Sequence, residues 1–143
     1  MPYGGQTQLT IATSGNVTIA ATPNGTLQTS NGTVTVTSTD VTGYKLYLRD
    51  SDSNTDLVNG ANAISASANV VAGALANNTW GYNIDASTDF IGITDTNVLL
   101  RNRTGPYTSG DITTVTYGLK VDASKPSGSY TDSVVYTAVP QTQ

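Results

Sequence analysis

Oxygen-bearing side chains recur at every second position from Asp50 to Asp56: Asp50, Asp52, Asn54 and Asp56, with Ser51, Ser53 and Thr55 between them. Hard cations such as calcium take about six to eight oxygen ligands, and the first half of a calcium-binding loop supplies them at this spacing. Asp50, Asp52, Asn54 and Asp56 are therefore the candidate calcium ligands. The run then departs from the helix-loop-helix pattern. Thr55 stands sixth, where a glycine makes the sharp turn, and Ala61 stands twelfth, where a bidentate acid closes the site. The competing reading is that a loop leaving a strand collects Asp, Ser and Asn because these residues form turns.

Other chemistry is tightly bounded. The chain has no His and no Cys, which excludes Ser-His-Asp and Cys-His nucleophiles and His-based zinc and haem sites. A carboxylate pair for glycoside hydrolysis, about 5–10 Å apart, could be drawn from Asp85 and Asp89 or from Asp111 and Asp132, although each reads more simply as a strand-end turn residue. A spontaneous bond between Lys45 or Lys120 and a strand asparagine such as Asn83 would need a nearby Asp and shared burial, and outward lysines oppose it. The chain reads as non-catalytic, with calcium its only candidate cofactor. Exposed aromatic rings suit the faces of sugars, and Tyr47, Tyr107 and Tyr3 are the rings expected in solvent. Tyr47 and Tyr107 are the candidate glycan contacts. Trp80, Tyr82, Tyr117, Tyr130 and Tyr136 alternate with polar residues and are expected in the core.

The elements that must position these residues are strands. Between Thr113 and Val139, Val115, Tyr117, Leu119 and Val121 fall on one parity and Thr114, Thr116, Gly118 and Lys120 on the other, the period of a strand with one buried and one wet face. Pro126 and Gly128 mark a turn, after which Tyr130, Val134 and Tyr136 resume the alternation, so a closing hairpin is expected. Its Pro126–Tyr130 turn should resemble the tyrosine corner of sandwich domains. Asp132 shares the parity of Tyr130 and Val134, which places it beyond the core edge or marks a slip in register.

Earlier in the chain, Leu9 and Ile11, then Val17 and Ile19, flank a Ser14-Gly15 turn. Val34 and Val36 alternate with threonines. Tyr44, Leu46 and Leu48 face inward against outward Lys45, Tyr47 and Arg49, and Trp80, Tyr82 and Ile84 mark a central strand. Residues 69–76, NVVAGALA, offer one short helix, weakened by Gly73. The expectation is one domain over residues 1–143: an all-β, two-sheet antiparallel Ig-like sandwich of about nine strands with Greek-key links. Residues 1–13 are a segment that could exchange onto a neighbouring copy.

Composition agrees. All 10 acidic residues are Asp and none is Glu, while Thr numbers 25, a balance that favours strands and turns over helices. A net charge of -4 with six scattered basic residues offers no patch for phosphates, so nucleic acid is not an expected partner. No apolar run reaches the roughly 20 residues that span a bilayer, so no membrane insertion is expected of this segment. The opening MPYGGQTQL lacks a basic and then hydrophobic leader, so Met1 reads as the start of a trimmed mature domain.

Three phrases, VTVTSTDVTGYKLYLRD, ANNTWGYNI and TTVTYGLKVDASKPSGSYTDSVVYTAVP, together resemble secreted surface-protein domains of Gram-positive and candidate-phylum bacteria. The last phrase is also similar to the closing strands of WxL-type wall-binding domains, spore coat U proteins and archaic pilus subunits. The resemblance spans roughly residues 33–140 and implies a secreted, cell-surface β-sandwich with no catalytic motif. It would act as a structural or adhesive module, with other copies or domains of a surface protein as partners. The alternative is a carbohydrate-binding module, assisted by calcium.

Overall fold

The computed structural model describes residues 7–142. Along the chain run β1 (Gln8–Thr13), β2 (Val17–Ala21), β3 (Leu27–Thr39), β4 (Gly43–Asp50), β5 (Leu57–Asn59), β6 (Asn62–Ala66), β7 (Thr79–Asn83), β8 (Val98–Thr104), β9 (Asp111–Lys120), β10 (Gly128–Asp132) and β11 (Val134–Gln141). Eight of them form one curled sheet in the order β1-β3-β9-β7-β6-β5-β10-β2, and β11-β4-β8 form a second. The fold is thus the expected two-sheet, all-β sandwich. The chain passes between sheets after β3, β4, β7, β8 and β10, so strands adjacent in sequence are seldom adjacent in space. Among the described residues, the one hairpin of consecutive strands is β5–β6, turning at Gly60 with φ 60°.

The alternation read from sequence decides what lies between the sheets. Tyr44, Leu46 and Leu48 of β4 are buried there against Val36, Trp80 and Leu119, while Lys45, Tyr47 and Arg49 point to the other face and stay half-exposed. Burial of each such side chain contributes about 1.5–3 kcal/mol. Trp80, Tyr82, Tyr117 and Tyr130 are all buried, and Tyr136 packs half-buried against the same core. Tyr130 donates its hydroxyl hydrogen to the Pro126 carbonyl at 2.8 Å, which forms the expected corner.

Several expectations are corrected. The closing stretch is not a hairpin: β9, β10 and β11 do not pair with one another. β10 pairs with β2 and β5, and β11 pairs with β4 in the other sheet. The break at Ser133 is where the chain changes sheets, and this is the register slip that the parity of Asp132 signalled. There are more strands than about nine, because this stretch divides and because β5 forms directly after the Asp50–Asp56 loop. One pair, β6–β7, is parallel; the intervening connection 67–78 is long enough for the return that such a pair needs.

The expected helix at 69–76 is absent. Val70 and Val71 are exposed while Leu75 is buried, so no helical face is apolar. Asn69 organises the segment instead, its Nδ2 donating to the carbonyls of Gly73, Ala74 and Phe90 at 3.1–3.2 Å. This segment and the one around Phe90 cover the outer face of β7 and β9, which was expected to be wet. Gly81 and Gly118 pair across those strands, and a Cβ on Gly118 would lie 2.5 Å from the Phe90 ring. The missing side chain makes the seat for the ring, and Phe90 is fully buried.

Candidate functional site

The sheet change at Ser133 brings the most unusual polar groups together. Asp50 ends β4 and lies opposite Val134, the first residue of β11; Asp132 ends β10, opposite Val17. Ser51 N donates to the Ser133 carbonyl at 3.0 Å and so closes the corner. Asp50 is 0% exposed, and the pairing of Asp50 with Val134 and the Ser51–Ser133 bond set its carboxyl beside that of Asp132. Each carboxyl has one oxygen engaged by a backbone N–H: Asp50 Oδ1 accepts from Asp52 N at 3.2 Å, and Asp132 Oδ1 from Ser133 N at 2.8 Å. The other two oxygens, Asp50 Oδ2 and Asp132 Oδ2, are out of water with no donor. Desolvation, with the adjoining Asp50 carboxyl second, pushes the Asp132 carboxyl up to about 8.

The candidate calcium ligands are divided by this arrangement. Asp50 faces inward, and its Oδ1 starts a ladder of turns in which Asp52 Oδ1 accepts from Asn54 N at 2.9 Å and Asn54 Oδ1 accepts from Asp56 N at 3.1 Å. The every-second-residue oxygens are engaged by the backbone of their own loop. Asp52 and Asn54 are exposed and Asp56 half-exposed. Among the described residues no three acidic side chains converge as a metal group. Trp80 fixes the loop to the sandwich, its Nε1 donating to the Thr55 carbonyl at 2.9 Å. Sequence reasoning had no means to add Asp132, because only the tertiary crossing makes it a neighbour of Asp50.

The candidate glycan rings are also separated. Tyr47 lies on the outward face of β4, between Leu99 of β8 and Thr137 of β11. Tyr107 was expected in solvent but is half-buried, packed edge-on against inward-facing Tyr44 at 5.9 Å between ring centroids; its backbone N–H also donates to Ser38 Oγ. The two rings share no surface. Tyr3 lies outside the described residues.

Beside Tyr107 is a second polar cluster. Tyr44 donates its hydroxyl hydrogen to Asp111 Oδ2 at 2.5 Å, and Arg103 Nε donates to the same oxygen at 3.0 Å. Burial, with the Asp111 carboxylate second, raises the Tyr44 hydroxyl far above its ordinary value. This cluster ties β4 and β8 of the small sheet to β9 of the large one. Asp111 and Asp132, a pair considered for hydrolytic chemistry, thus belong to contacts at opposite ends of β4. Asp85 accepts from Ser87 N at 3.1 Å within its own loop. Asn83 donates to the carbonyls of Ser87 and Asp89, while Lys45 lies on the outward face of the other sheet, opposite Asn102 and Val139, and so away from Asn83.

No protein-family model, curated protein or solved structure matches this chain. Among the described residues no helix is long and apolar enough to cross a membrane.

Proposed function

We propose that this chain is a non-catalytic structural or adhesive module of a secreted bacterial surface protein or pilus-like filament, working at the cell surface through other copies or domains. The observation that carries the proposal is the placement of β1. It lies at the edge of the large sheet, held to β3 by six consecutive backbone pairs from Gln8↔Thr39 to Thr13↔Val34. Five of its six side chains are exposed and only Leu9 reaches the core. Such a strand is retained by its ladder rather than by packing, and the same ladder can be offered by a neighbouring copy. Ser14-Gly15-Asn16, with Gly15 at φ 106°, is a natural hinge for that exchange. The test is size-exclusion with light scattering and electron microscopy of the chain with and without residues 1–13. Concentration-dependent oligomers lost on deletion support the reading; a monomer indifferent to the deletion overturns it.

A carbohydrate-binding reading is favoured by Tyr47 alone. Its ring sits half-exposed on the outward face of the small sheet, with Lys45 and Arg49 two residues to either side. A glycan array whose signal is lost in Tyr47→Ala would support this reading, and a silent array would remove it.

A further inference from the structure

We propose that the corner where the chain changes sheets is a binding site for a hard divalent cation, calcium being the best fit, held between the carboxylates of Asp50 and Asp132. This site differs from a loop site built on Asp52, Asn54 and Asp56, and it does not rest on the functional reading above.

The argument starts from charge that nothing in the chain answers. Asp50 is 0% exposed and its Oδ2 has no hydrogen-bond partner; Asp132 Oδ2 is likewise out of water and unpartnered. Removing one carboxylate from water without compensation costs several kcal/mol, and two side by side cost more. Among the described residues the one ion pair is Arg103–Asp111, at the other end of β4. Arg49, next to Asp50 in the chain, is committed to main chain, its Nη1 donating to the carbonyls of Asp50 and Ser51. No basic side chain therefore neutralises the two acids.

The geometry also aims them. Each Oδ1 is fixed by a backbone N–H, of Asp52 or of Ser133, which leaves the two Oδ2 atoms as the free pair. The strands that carry them are locked by the β4–β11 and β10–β2 ladders, so the pair is preorganised rather than gathered by the ion. Two carboxylates do not complete a calcium shell. Calcium accepts carbonyl and water oxygens in irregular geometry, whereas magnesium demands a near-regular octahedron and keeps its waters. The carbonyls at the corner are those of Asp50, Ser51 and Ser133, and calcium tolerates the irregular shell that they and water would make. An ion here would join β4 and β11 of the small sheet to β10 of the large one, and so stabilise the crossing itself.

The experiment uses the full chain stripped with EDTA and titrated with calcium chloride at pH 7.4, followed by thermal unfolding. Terbium chloride is the second probe. Trp80 is the single tryptophan, and its bond to the Thr55 carbonyl holds an antenna against the loop that leaves the corner. The expected result is a rise in Tm of about 5–10 °C at calcium a hundredfold above its Kd, with terbium emission on tryptophan excitation. Both responses should vanish in Asp132→Asn, a variant that keeps shape and folding, and persist in Asp56→Asn. Responses that survive Asp132→Asn but are lost in Asp56→Asn would place the ion in the loop and overturn the proposal. No calcium or terbium response in the folded wild type would mean that a shared proton alone serves the pair, and would also overturn it.

Discussion

Each end of β4 meets a carboxylate largely withdrawn from water, Asp111 of β9 beside Tyr44 and Asp50 of β4 itself beside Asp132, and the two ends treat it in opposite ways. At the Tyr44 end, Asp111 receives a phenol hydrogen and a guanidinium N–H on one oxygen, so the carboxylate is both bonded and neutralised. At the Asp50 end, two acids face each other and each keeps an oxygen without a donor. Burial alone does not set the difference, since Asp50 is the more buried of the two acids facing the sheet crossing and Tyr44 is equally enclosed. What differs is the partner: the first end is complete within the chain, while the second is complete only with a proton or a cation. The first contact should therefore be indifferent to solution conditions that govern the second.

The largest effect expected from breaking this comparison is at the completed end. Asp111→Ala removes the acceptor of Arg103 and of the Tyr44 hydroxyl, which is left enclosed without a partner. Loss of a charged, mostly buried acceptor should cost about 2–4 kcal/mol, read as a lowered midpoint in urea unfolding at unchanged m. The side chain of Arg103 is 34% exposed and can find water, which keeps the loss below that of a fully buried pair. A cost under about 1 kcal/mol would show that packing of Tyr44 and Tyr107, and not the polar contact, holds this end.

A smaller effect with a distinct pH signature belongs to the open end. In EDTA, desolvation and then the adjoining Asp50 carboxyl push the folded Asp132 carboxyl up to about 8 from the ordinary 3.8, so between those values the folded chain holds a proton that the unfolded chain has released. The unfolded state binds fewer protons there, and stability falls as pH rises from about 4 to about 8, then levels. Asp85 and Asp122 are shifted the other way, chiefly by hydrogen bonds from Ser87 and Ser124; what they contribute is present above 3.8 and is lost only as pH falls through their lowered values. The difference between wild type and Asp132→Asn isolates the pair. The variant should be more stable by about 1–2 kcal/mol at pH 8.5, because its amide can donate to Asp50 Oδ2 and carries no charge, and should show little advantage at pH 4. Parallel pH profiles for the two proteins would remove the case for a charge-limited corner.

What was legible in sequence follows from what is local. The inward parity of Tyr44, Leu46 and Leu48, the burial of Trp80 and the Pro126–Tyr130 corner are set within one strand or turn, and the alternation shows them directly. The outer cover of β7 and β9 was not legible, because Gly81, Gly118 and Phe90 carry meaning only when three distant segments meet. The candidate site was half legible for the same reason. The oxygen run at Asp50–Asp56 is local and visible, but turn formation and cation binding use the same residue types. The residue that distinguishes Asp50, Asp132, is 82 positions further along and announces itself only as a break in parity.

The smallest expected effect tests whether the two ends are independent at all. Tyr44 and Asp50 are six residues apart on one extended strand, about 20 Å at the usual rise, and their polar contacts share no residue. Such sites ordinarily add to within about 0.5 kcal/mol. The double variant Asp111→Ala/Asp132→Asn, measured at pH 8.5 in EDTA, should therefore show the sum of the two single effects. The strand between the ends is not uniform, however: the β4–β8 register shifts between Leu46 and Tyr47, and a bulge of this kind concentrates twist at one point. If loss of the Arg103–Asp111 contact lets β8 relax about that point, β4 would rotate and the separation of the Asp50 and Asp132 carboxyls would change. Coupling above about 1 kcal/mol would then appear, and would mean that the completed end sets the geometry of the open one.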